Sequence, residues 1–520
     1  MCIHGGAARP ATARDRAAVV AAALAVASCG GDSSTAPATG TFLPESVFAA
    51  QCAAPRAGTD PATGLAYPDQ PGSVLTENNW LRSWTHDTYL WYLDVADADP
   101  ASYASPSAYF PVLKSTGLDA AGEAKDRFHF TYATSVWEGL SQSGLQAGYG
   151  ASWILLAASP PRDVRIAYTA PGSPAAAPSA ALSRGARVLA IDGVDMTSGS
   201  DVATLNAGLY PTAGSSHRFT ILDSGATAPR TVALVAQDLV ETPVPTVSTF
   251  AGAAGGIVGY VLFNDHIATA ESELVAAFTR LRQAAVSDLV LDIRYNGGGY
   301  LDIASEVAYM IAGGVTQGRT FELQQFNDRH PTINPVTLRP IAPTPFHATS
   351  LGYSTPAGQP LPTLGLARVF VLTGATTCSA SEAIINGLRG VGVQVIQVGS
   401  TTCGKPYGFY PTDNCGTTYF TIQFRGVNAA GFGAYPEGFT PQNATSGTMG
   451  VPLPGCAVAD DFSHPLGDPA ESRLAAALAL QAGGACPAPT ALSARLLRGR
   501  WLADGIVAKS PWQENRILDR

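Results

Sequence analysis

Strand-like and helix-like segments alternate from residue 255 to residue 485, and this alternation limits the possible folds more than any other feature of the chain. The runs "DLVLDIR" (288–294), "ARVFVLTG" (367–374) and "VQVIQVG" (393–399) are apolar and have the length of strands. The segments "ESELVAAFTRLRQA" and "SASEAIINGLRG" have apolar residues at helical spacing. Two strand–helix–strand units of this kind predict a partly parallel sheet in an α/β protein.

The chain has 520 residues, which is too many for one compact core, so we expect several domains. Hydrophobic residues make up 46% and charged residues 14%, with 54 Gly and 38 Pro, as in a loop-rich secreted protein. The expected segments are a signal peptide (1–28), a linker (29–75), an N-terminal helical region (76–145), a small β domain (146–240), an α/β core (250–486) and a tail (487–520). Within the core, the Pro-rich stretch 318–362 is predicted to lack strands.

The N-terminus has the pattern of a secretory signal. Arg9, Arg14 and Arg16 precede the apolar run "AAVVAAALAVA", which is too short to span a bilayer. The following "VASC" resembles a bacterial lipobox and makes Cys29 the expected lipidated residue. An ordinary signal peptide with an incidental cysteine is the alternative. We therefore expect an exported protein, anchored by lipid in a bacterial cell envelope and facing the periplasm.

Six cysteines remain when Cys2 and the candidate lipidation site are set aside, and an even number in an exported chain predicts disulfides. A bridge between Cys403 and Cys415 is the one pairing we predict, because "CGKPYGFYPTDNC" is a short loop that a bridge could close. Six reduced thiols are the alternative.

The segment 146–240 has the pattern of a small β domain. The loop "GYGAS", the run "APGSPAAAPSAALSRGARVLAIDG" and a helix near 199–208 together resemble a PDZ domain. The resemblance implies that amides of Tyr149, Gly150 and Ala151 hold the terminal carboxylate of a peptide that adds as a strand. A β domain that only packs on its neighbour is the alternative.

Three strand ends in the core carry residues suited to acyl transfer. "NGGG" (296–299), Ser379 and Lys405 each follow one of the three strands, and ligand sites of open α/β sheets lie at the carboxyl ends of parallel strands. Ser379 begins a helix, where N–H groups and the helix dipole favour negative charge. A serine nucleophile needs a base, and a lysine whose charge is disfavoured by burial can serve. We therefore expect Ser379 as nucleophile and Lys405 as general base.

An oxyanion that develops beside Ser379 needs two donors. The candidates are the amides of Ala380, directly after the serine, and Gly298, since glycine allows the backbone to approach a substrate closely. The alternative is a purely structural role, in which Ser379 only caps its helix, because "SASE" fits a capping box with Glu382.

Taken in order, "LVLDIRYNGGG", "VFVLTGATTCSASEAIINGLRG" and "VIQVGSTTCGKPYG", behind the PDZ-like segment, resemble the carboxyl-terminal processing (tail-specific) serine protease family. The resemblance covers roughly residues 80–480. It implies a crotonase/ClpP-like core and a Ser–Lys endopeptidase that cleaves unstructured protein segments near their C-termini. By motif it carries the nucleophile to Ser379 and the base to Lys405, and it implies no cofactor.

The chain also departs from the family pattern. Phe409 stands where the family commonly has a Gln that holds the lysine amine, so Tyr407, Glu382 or a backbone carbonyl is left to orient it. His266 is an alternative base, although a packing role is more usual for a single histidine. For Cys378, directly before the nucleophile, we favour a disulfide over a thiol nucleophile.

The composition excludes other classes of function. A net charge of −9 argues against a nucleic-acid partner, no cluster has the spacing of metal ligands, and "GGG" lacks the Lys of a phosphate-binding loop. The sequence thus predicts a serine peptidase whose PDZ-like module captures the tail of a protein substrate. The rival is a non-catalytic peptide-binding lipoprotein on a peptidase scaffold.

Overall fold

The computed structural model describes residues 39–61, 63–120, 122–444, 449–488 and 516–518. The predicted signal peptide and Cys29 lie outside these residues. In the described part of the chain, no helix combines the length and the apolar character needed to cross a membrane.

The N-terminal region packs a helix against short strands. Its elements are β1 (Gln51–Cys52), β2 (Gln70–Pro71), α1 (Val74–Thr88), α2 (Pro106–Tyr109), β3 (Phe130–Ala133) and α3 (Thr134–Ser143). Ser73 caps α1 by accepting a hydrogen bond from the Thr76 N–H, and Trp80 and Trp84 on this helix are buried. The segment 39–75, which we predicted to be linker, therefore contains short elements, and β1 pairs with β2 in parallel.

A small β domain with its own core follows. It is entered through β4 (Leu145–Gly148) and left through β11 (Gln237–Val240), which pair antiparallel. Between them lie β5 (Ala151–Ala157), β6 (Asp163–Thr169), β7 (Arg187–Ile191), β8 (Val194–Asp195), α4 (Val202–Leu209), β9 (Ser216–Leu222) and β10 (Arg230–Val235). The main sheet has the order β10-β9-β7-β6-β5, with Trp153 and Phe219 stacked in its core.

The α/β core is built on a six-stranded sheet of order β12-β13-β14-β18-β19-β26, in which all strands but β12 run parallel. The strands are β12 (Thr246–Ala251), β13 (Ile257–Leu262), β14 (Asp288–Asp292), β18 (Arg368–Thr373), β19 (Gln394–Gly399) and β26 (Gly455–Ala457). The helices are α5 (Ala270–Gln283), α6 (Leu301–Ala312), α7 (Ala380–Gly390) and α8 (Ser472–Gln481). The prediction of a partly parallel sheet is confirmed.

Both faces of this sheet are covered. Alternate residues of β14 pack on opposite faces, Leu289 and Leu291 with the first three core helices and Val290 with α8. A strand buried on both faces favours apolar side chains on both sides, which explains why the centres of these strands are nearly continuous apolar runs.

Shorter strands surround the sheet: β15 (Gly298–Tyr300), β16 (Thr320–Gln325), β17 (Thr344–Pro345), β20 (Tyr407–Gly408), β21 (Thr412–Asn414), β22 (Thr417–Phe420), β23 (Phe424–Val427), β24 (Phe439–Pro441), β25 (Val451–Leu453) and β27 (Arg516–Leu518). The prediction that 318–362 lacks strands is wrong, since β16 pairs with β23 and β17 pairs with β16. The polar sequence "TFELQQ" hid β16, because only part of it faces the core.

Three disulfides join the six cysteines as Cys52–Cys415, Cys378–Cys403 and Cys456–Cys486. The presence of disulfides is confirmed, and the predicted Cys403–Cys415 pairing is wrong. Cys415 instead bonds a residue 363 positions away, which ties the N-terminal region to the core.

Candidate active site

The three strand ends that carry the candidate residues meet at one edge of the core sheet. β14, β18 and β19 are adjacent and parallel, so the loops that follow them lie side by side. The loops are also bonded to one another: the Cys378 N–H and the Ser381 hydroxyl both donate to the Asn296 carbonyl, each at 3.1 Å. The Cys403 N–H donates to the Thr377 carbonyl at 3.0 Å.

Ser379 has a strained backbone at the turn between β18 and α7. Its φ of 60° and ψ of −120° are unusual for a residue with a Cβ, and such a conformation costs on the order of 1–3 kcal/mol. The side chain is fully buried, and its Oγ has no hydrogen-bond partner among the described residues. The pair Ser379 and Glu382 nevertheless has the arrangement of the capping box that the sequence suggested, in which the Glu382 carboxylate accepts the Ser379 N–H at 3.0 Å.

Glu382 connects the serine to the lysine loop. One carboxylate oxygen accepts the N–H groups of Ser379 (3.0 Å) and Lys405 (2.8 Å). The other accepts the Gly404 N–H (2.9 Å) and the Thr402 hydroxyl (2.5 Å). Burial raises the pKa of this carboxyl group, although all four donors favour its ionised form. We call Glu382 and its four donors the Glu382 hub.

A disulfide fastens the same two loops. Cys378 directly precedes Ser379, Cys403 lies two residues before Lys405, and their Cα atoms are 5.2 Å apart. The two sulfur atoms lie close to the Glu382 carboxylate, but as a disulfide they are not thiolate ligands for a metal. The preference for a disulfide at Cys378 is confirmed.

Lys405 is fully buried between aromatic rings. Its Nζ lies 4.1 Å from the centroid of the Phe409 ring and 4.9 Å from that of Phe128. Phe409 thus forms a wall of the amine pocket, where the family resemblance implied a hydrogen-bonding Gln. Of the orienting candidates, Glu382 holds the Lys405 backbone N–H, and Tyr407 packs on Trp91 with ring centroids 4.8 Å apart.

The glycine loop differs from the prediction in one detail. The Gly298 N–H donates to the Asn296 side-chain oxygen at 2.9 Å, so the predicted oxyanion donor is already bonded within its own loop. Ala380, the other predicted donor, is the first residue of α7, where N–H groups have no partner within the helix.

His266, the alternative base, lies beside this loop. Its Nδ1 is 2.9 Å from the same Asn296 oxygen, and its Nε2 has no hydrogen-bond partner among the described residues. Burial lowers the pKa of this ring to about 3, so it is neutral at neutral pH.

Two protein-family models match the chain: peptidase family S41 over residues 257–409 and the peptidase S41 N-terminal domain over residues 76–132. The chain is therefore similar to peptidase family S41 over these residues, which supports the family that its motifs suggested.

A carboxyl-terminal-processing protease from Picosynechococcus sp. is 27% identical to this chain over 274 residues. The match covers 51% of this chain and 56% of the relative, so it spans little more than half of the curated protein. The crystal structure of a protein assigned to the S41 proteases, from Bacteroides fragilis, has a TM-score of 0.57 at 23% identity and covers 80% of this chain and 98% of that chain. That likeness shows the multidomain α/β fold.

The predicted peptide-binding loop lies in the β domain, more than 100 residues before the glycine loop in the sequence. Tyr149 is buried in the core of that domain, and its carbonyl accepts the Ala175 N–H. Gly150 has a φ of 72°, and a Cβ there would lie 2.2 Å from Ser173. Ala151 begins β5, which is the last strand of its sheet and pairs only with β6 among the described strands.

Sequence reasoning missed two features of the candidate site. Glu382 was considered only as a helix cap or a lysine partner, yet it organises backbone from two loops. The Cys378–Cys403 bridge was also missed, although a usable signal was present: each cysteine follows one of two neighbouring parallel strands.

Proposed function

We propose that the protein is a serine endopeptidase that hydrolyses unstructured protein tails through an acyl-enzyme on Ser379. The observation that carries the proposal is the Glu382 hub, in which one carboxylate oxygen holds the N–H groups of both Ser379 and Lys405. The backbones of two residues 26 positions apart in the sequence are therefore held side by side, and the first of them, Ser379, has a strained backbone and an Oγ without a partner among the described residues.

In the proposed mechanism the uncharged Lys405 amine takes the Ser379 proton as Oγ attacks the substrate carbonyl carbon. The full burial of Lys405 between the Phe409 and Phe128 rings is the observation that supports this role. Collapse of the tetrahedral intermediate breaks the C–N bond, and the ammonium gives its proton to the leaving amine. Water then attacks the ester, its proton passes through Lys405 to Oγ, and the acid product leaves. We assign the Ala380 N–H as an oxyanion donor.

The wider role of the protein is part of the proposal. The β domain is PDZ-like and offers the open edge of β5 to a peptide strand, with the loop at Tyr149–Ala151 at its start. Arg184 of this domain donates to Asp460 (2.6 Å) and to the Tyr295 hydroxyl (2.6 Å) of the core. Tyr295 directly precedes Asn296, so these contacts join the β domain to the glycine loop. The core is crotonase/ClpP-like, and the signal pattern with Cys29 supports export and a lipid anchor.

The hydrolysis of an unfolded protein such as β-casein tests the proposal. Replacing Ser379 or Lys405 with Ala is expected to lower the rate by ~10³-fold or more, since catalytic residues that act as a unit lose rate together. His266→Ala is expected to retain turnover. If His266→Ala removes turnover while Lys405→Ala keeps it, the histidine is the base and the Ser–Lys mechanism is wrong.

One observation favours the non-catalytic alternative: the lysine amine faces the Phe409 ring where the family commonly has a Gln. If the wild-type protein cleaves no unfolded substrate but binds peptides through β5, the scaffold function is correct. A Phe409→Gln variant that gains turnover would identify this ring as the cause.

A further inference from the structure

Strand β27, near the end of the sequence, lies at the candidate active site. Arg516–Leu518 pairs in parallel with Gly298–Tyr300, the strand formed by the glycine loop. The same three residues also approach α7, the helix that Ser379 precedes, and β20, which follows Lys405. A segment more than a hundred residues from any of these elements therefore reaches all three of them.

The hydrogen-bonding direction of the glycine loop shows which groups face this strand. The His266 N–H donates to the Gly298 carbonyl at 3.4 Å, and the Tyr300 N–H donates to the His266 carbonyl at 2.8 Å. These two bonds place Gly299 in a parallel bridge with His266. Since backbone groups alternate sides along a strand, the N–H and C=O of Gly299 point the other way, toward β27.

The register fixes the partners on the other strand. Gly299 lies opposite Ile517, so parallel pairing directs the Gly299 N–H to the Arg516 carbonyl and the Leu518 N–H to the Gly299 carbonyl. The Ile517 N–H points away from β15. A side chain at position 299 is excluded, because its φ is 146° and a Cβ would lie 2.4 Å from the His266 carbonyl oxygen.

We propose that the open side of Gly299 is the edge on which a substrate strand binds, and that Arg516–Leu518 of the chain itself occupies it as a competing, substrate-like strand. This inference names the binding mode and regulation of the site described under the proposed function, and it rests on that function only for its effect on turnover. Main-chain pairing of this kind recognises an extended peptide with little dependence on its sequence.

Occupancy of the edge accounts for the burial of the site. Ser379 and Lys405 are both fully buried, although a peptidase must admit a peptide to its nucleophile. Arg516–Leu518 pairs with β15 and comes close to α7 and β20, the elements next to Ser379 and Lys405, so we expect this strand to contribute to their burial. A substrate therefore has to displace β27 before it can reach Ser379.

Peptide binding to a chain that lacks the nucleophile tests the inference independently of catalysis. The Ser379→Ala protein is prepared as the full chain and as a truncation ending at Ala488, which keeps the Cys456–Cys486 bridge. The probe is a labelled peptide of sequence PWQENRILDR, followed by fluorescence anisotropy. We expect the truncated chain to bind it at least ~10-fold more tightly than the full chain, since a tethered strand competes at high effective concentration.

Matched peptides test the register. N-methylation at Leu518 removes the N–H that faces Gly299 and is expected to abolish binding, whereas N-methylation at Ile517 removes an N–H that faces away and is expected to preserve it. In the full chain, Leu518→Pro is expected to raise peptide affinity and Leu518→Ala, which keeps the N–H, to leave it low. Equal binding to the full and truncated chains, no binding to either, or equal loss with both methylated peptides would overturn the inference.

The two proposals fail separately. If peptide binding follows the expected pattern but no variant hydrolyses casein, the strand site stands and the proposed function falls. If casein is hydrolysed at the same rate by the full and truncated chains and the peptide does not bind, the function stands and the competing strand is wrong.

Discussion

Two carboxylate centres lie near the same edge of the core sheet. One is stabilised by neutral hydrogen-bond donors and the other by a guanidinium group. In the Glu382 hub, the carboxylate receives four neutral N–H and O–H donors. In the second centre, Arg294 donates to the buried Asp292 at 2.9 Å, to the buried Glu471 at 2.8 Å and to the nearly buried side chain of Asp460 at 2.9 Å. We call this second centre the Arg294 network.

The difference between the centres appears in their pKa shifts. Burial raises the pKa of Glu382, and neutral donors offset that effect only in part. Burial acts in the same direction on Asp460, but the guanidinium groups of Arg473, Arg294 and Arg184 outweigh it and hold the pKa of Asp460 well below its usual range. Charged partners thus favour the ionised form of Asp460, whereas the neutral donors around Glu382 leave its pKa above the ordinary value.

Consecutive residues of one loop have different contacts. Arg294 fixes the loop after β14 through the ion network, and Tyr295 follows it. The next residue, Asn296, accepts the Gly298 N–H and lies within hydrogen-bond distance of the His266 ring. The network therefore serves stability, and the hub serves the geometry of Ser379 and Lys405.

Removing the cation of the network is expected to have the largest effect. Arg294→Met leaves three buried carboxylates without their shared partner, and breaking a buried ion pair in this way costs about 3–5 kcal/mol. Urea unfolding measures the loss. The control is Arg280→Met on the exposed face of α5, which is expected to change the free energy of unfolding by less than about 0.5 kcal/mol. Equal effects of the two substitutions would remove the special role of the network.

Glu382→Gln is expected to have the next largest effect. An amide NH₂ would face two N–H donors, and leaving such donors unsatisfied in the interior costs about 2–4 kcal/mol in total. Glu271 offers a control, because its buried carboxylate likewise accepts four hydrogen bonds, in this case from the N–H groups of Leu351, Gly352, Ser354 and Thr355.

Both Glu→Gln variants are expected to lose similar stability, but only Glu382→Gln is expected to slow hydrolysis, by roughly tenfold or more, which corresponds to about 1.4 kcal/mol in the barrier. Assays at a temperature where both remain folded separate the two effects. If both variants slow hydrolysis equally, the hub has no specific role in catalysis.

Removing a single donor to Glu382 is expected to lower the free energy of unfolding by less than Glu382→Gln does. Thr402→Val removes the hydroxyl that donates to Glu382 and accepts the Phe439 N–H, at an expected cost of about 1–2 kcal/mol in unfolding free energy. Thr402→Ser keeps the hydroxyl and serves as the control. Identical stabilities of the Val and Ser variants would show that this donor is dispensable.

The smallest expected effect is the change in the free energy of unfolding with pH, and its sign differs between the two centres. Because the folded pKa of Glu382 is raised above 4.5, its carboxyl stabilises the fold at low pH and loses that contribution as the pH rises through the folded pKa. The wild type should therefore gain stability relative to Glu382→Gln on acidification. Asp460 behaves oppositely: its contribution is present above its ordinary value of 3.8 and is lost as the pH falls toward its folded pKa. Chemical unfolding from pH 7 to pH 3 checks both slopes, and slopes of the same sign would contradict the comparison.

The strand pattern alone predicted the parallel sheet, because strands buried on both faces are mostly apolar. It also placed Ser379 and Lys405 at one edge of that sheet. It could not predict that Cys415 pairs with Cys52, since that bond depends on where the N-terminal region docks. The sequence also could not predict which backbone N–H of the glycine loop points away from His266. The orientation of the Gly298 and Gly299 N–H groups depends on a bridge to His266, which no local pattern encodes.

The central claim is that Ser379 is the nucleophile of the site. Ser381, two residues away, is also buried, but its hydroxyl donates to the Asn296 carbonyl at 3.1 Å. A fluorophosphonate probe followed by peptide mass spectrometry locates the modified residue directly. The account predicts a single adduct on Ser379, formed by the wild type and absent from Ser379→Ala and Lys405→Ala. An adduct on Ser381, or labelling that persists in Ser379→Ala, would contradict it.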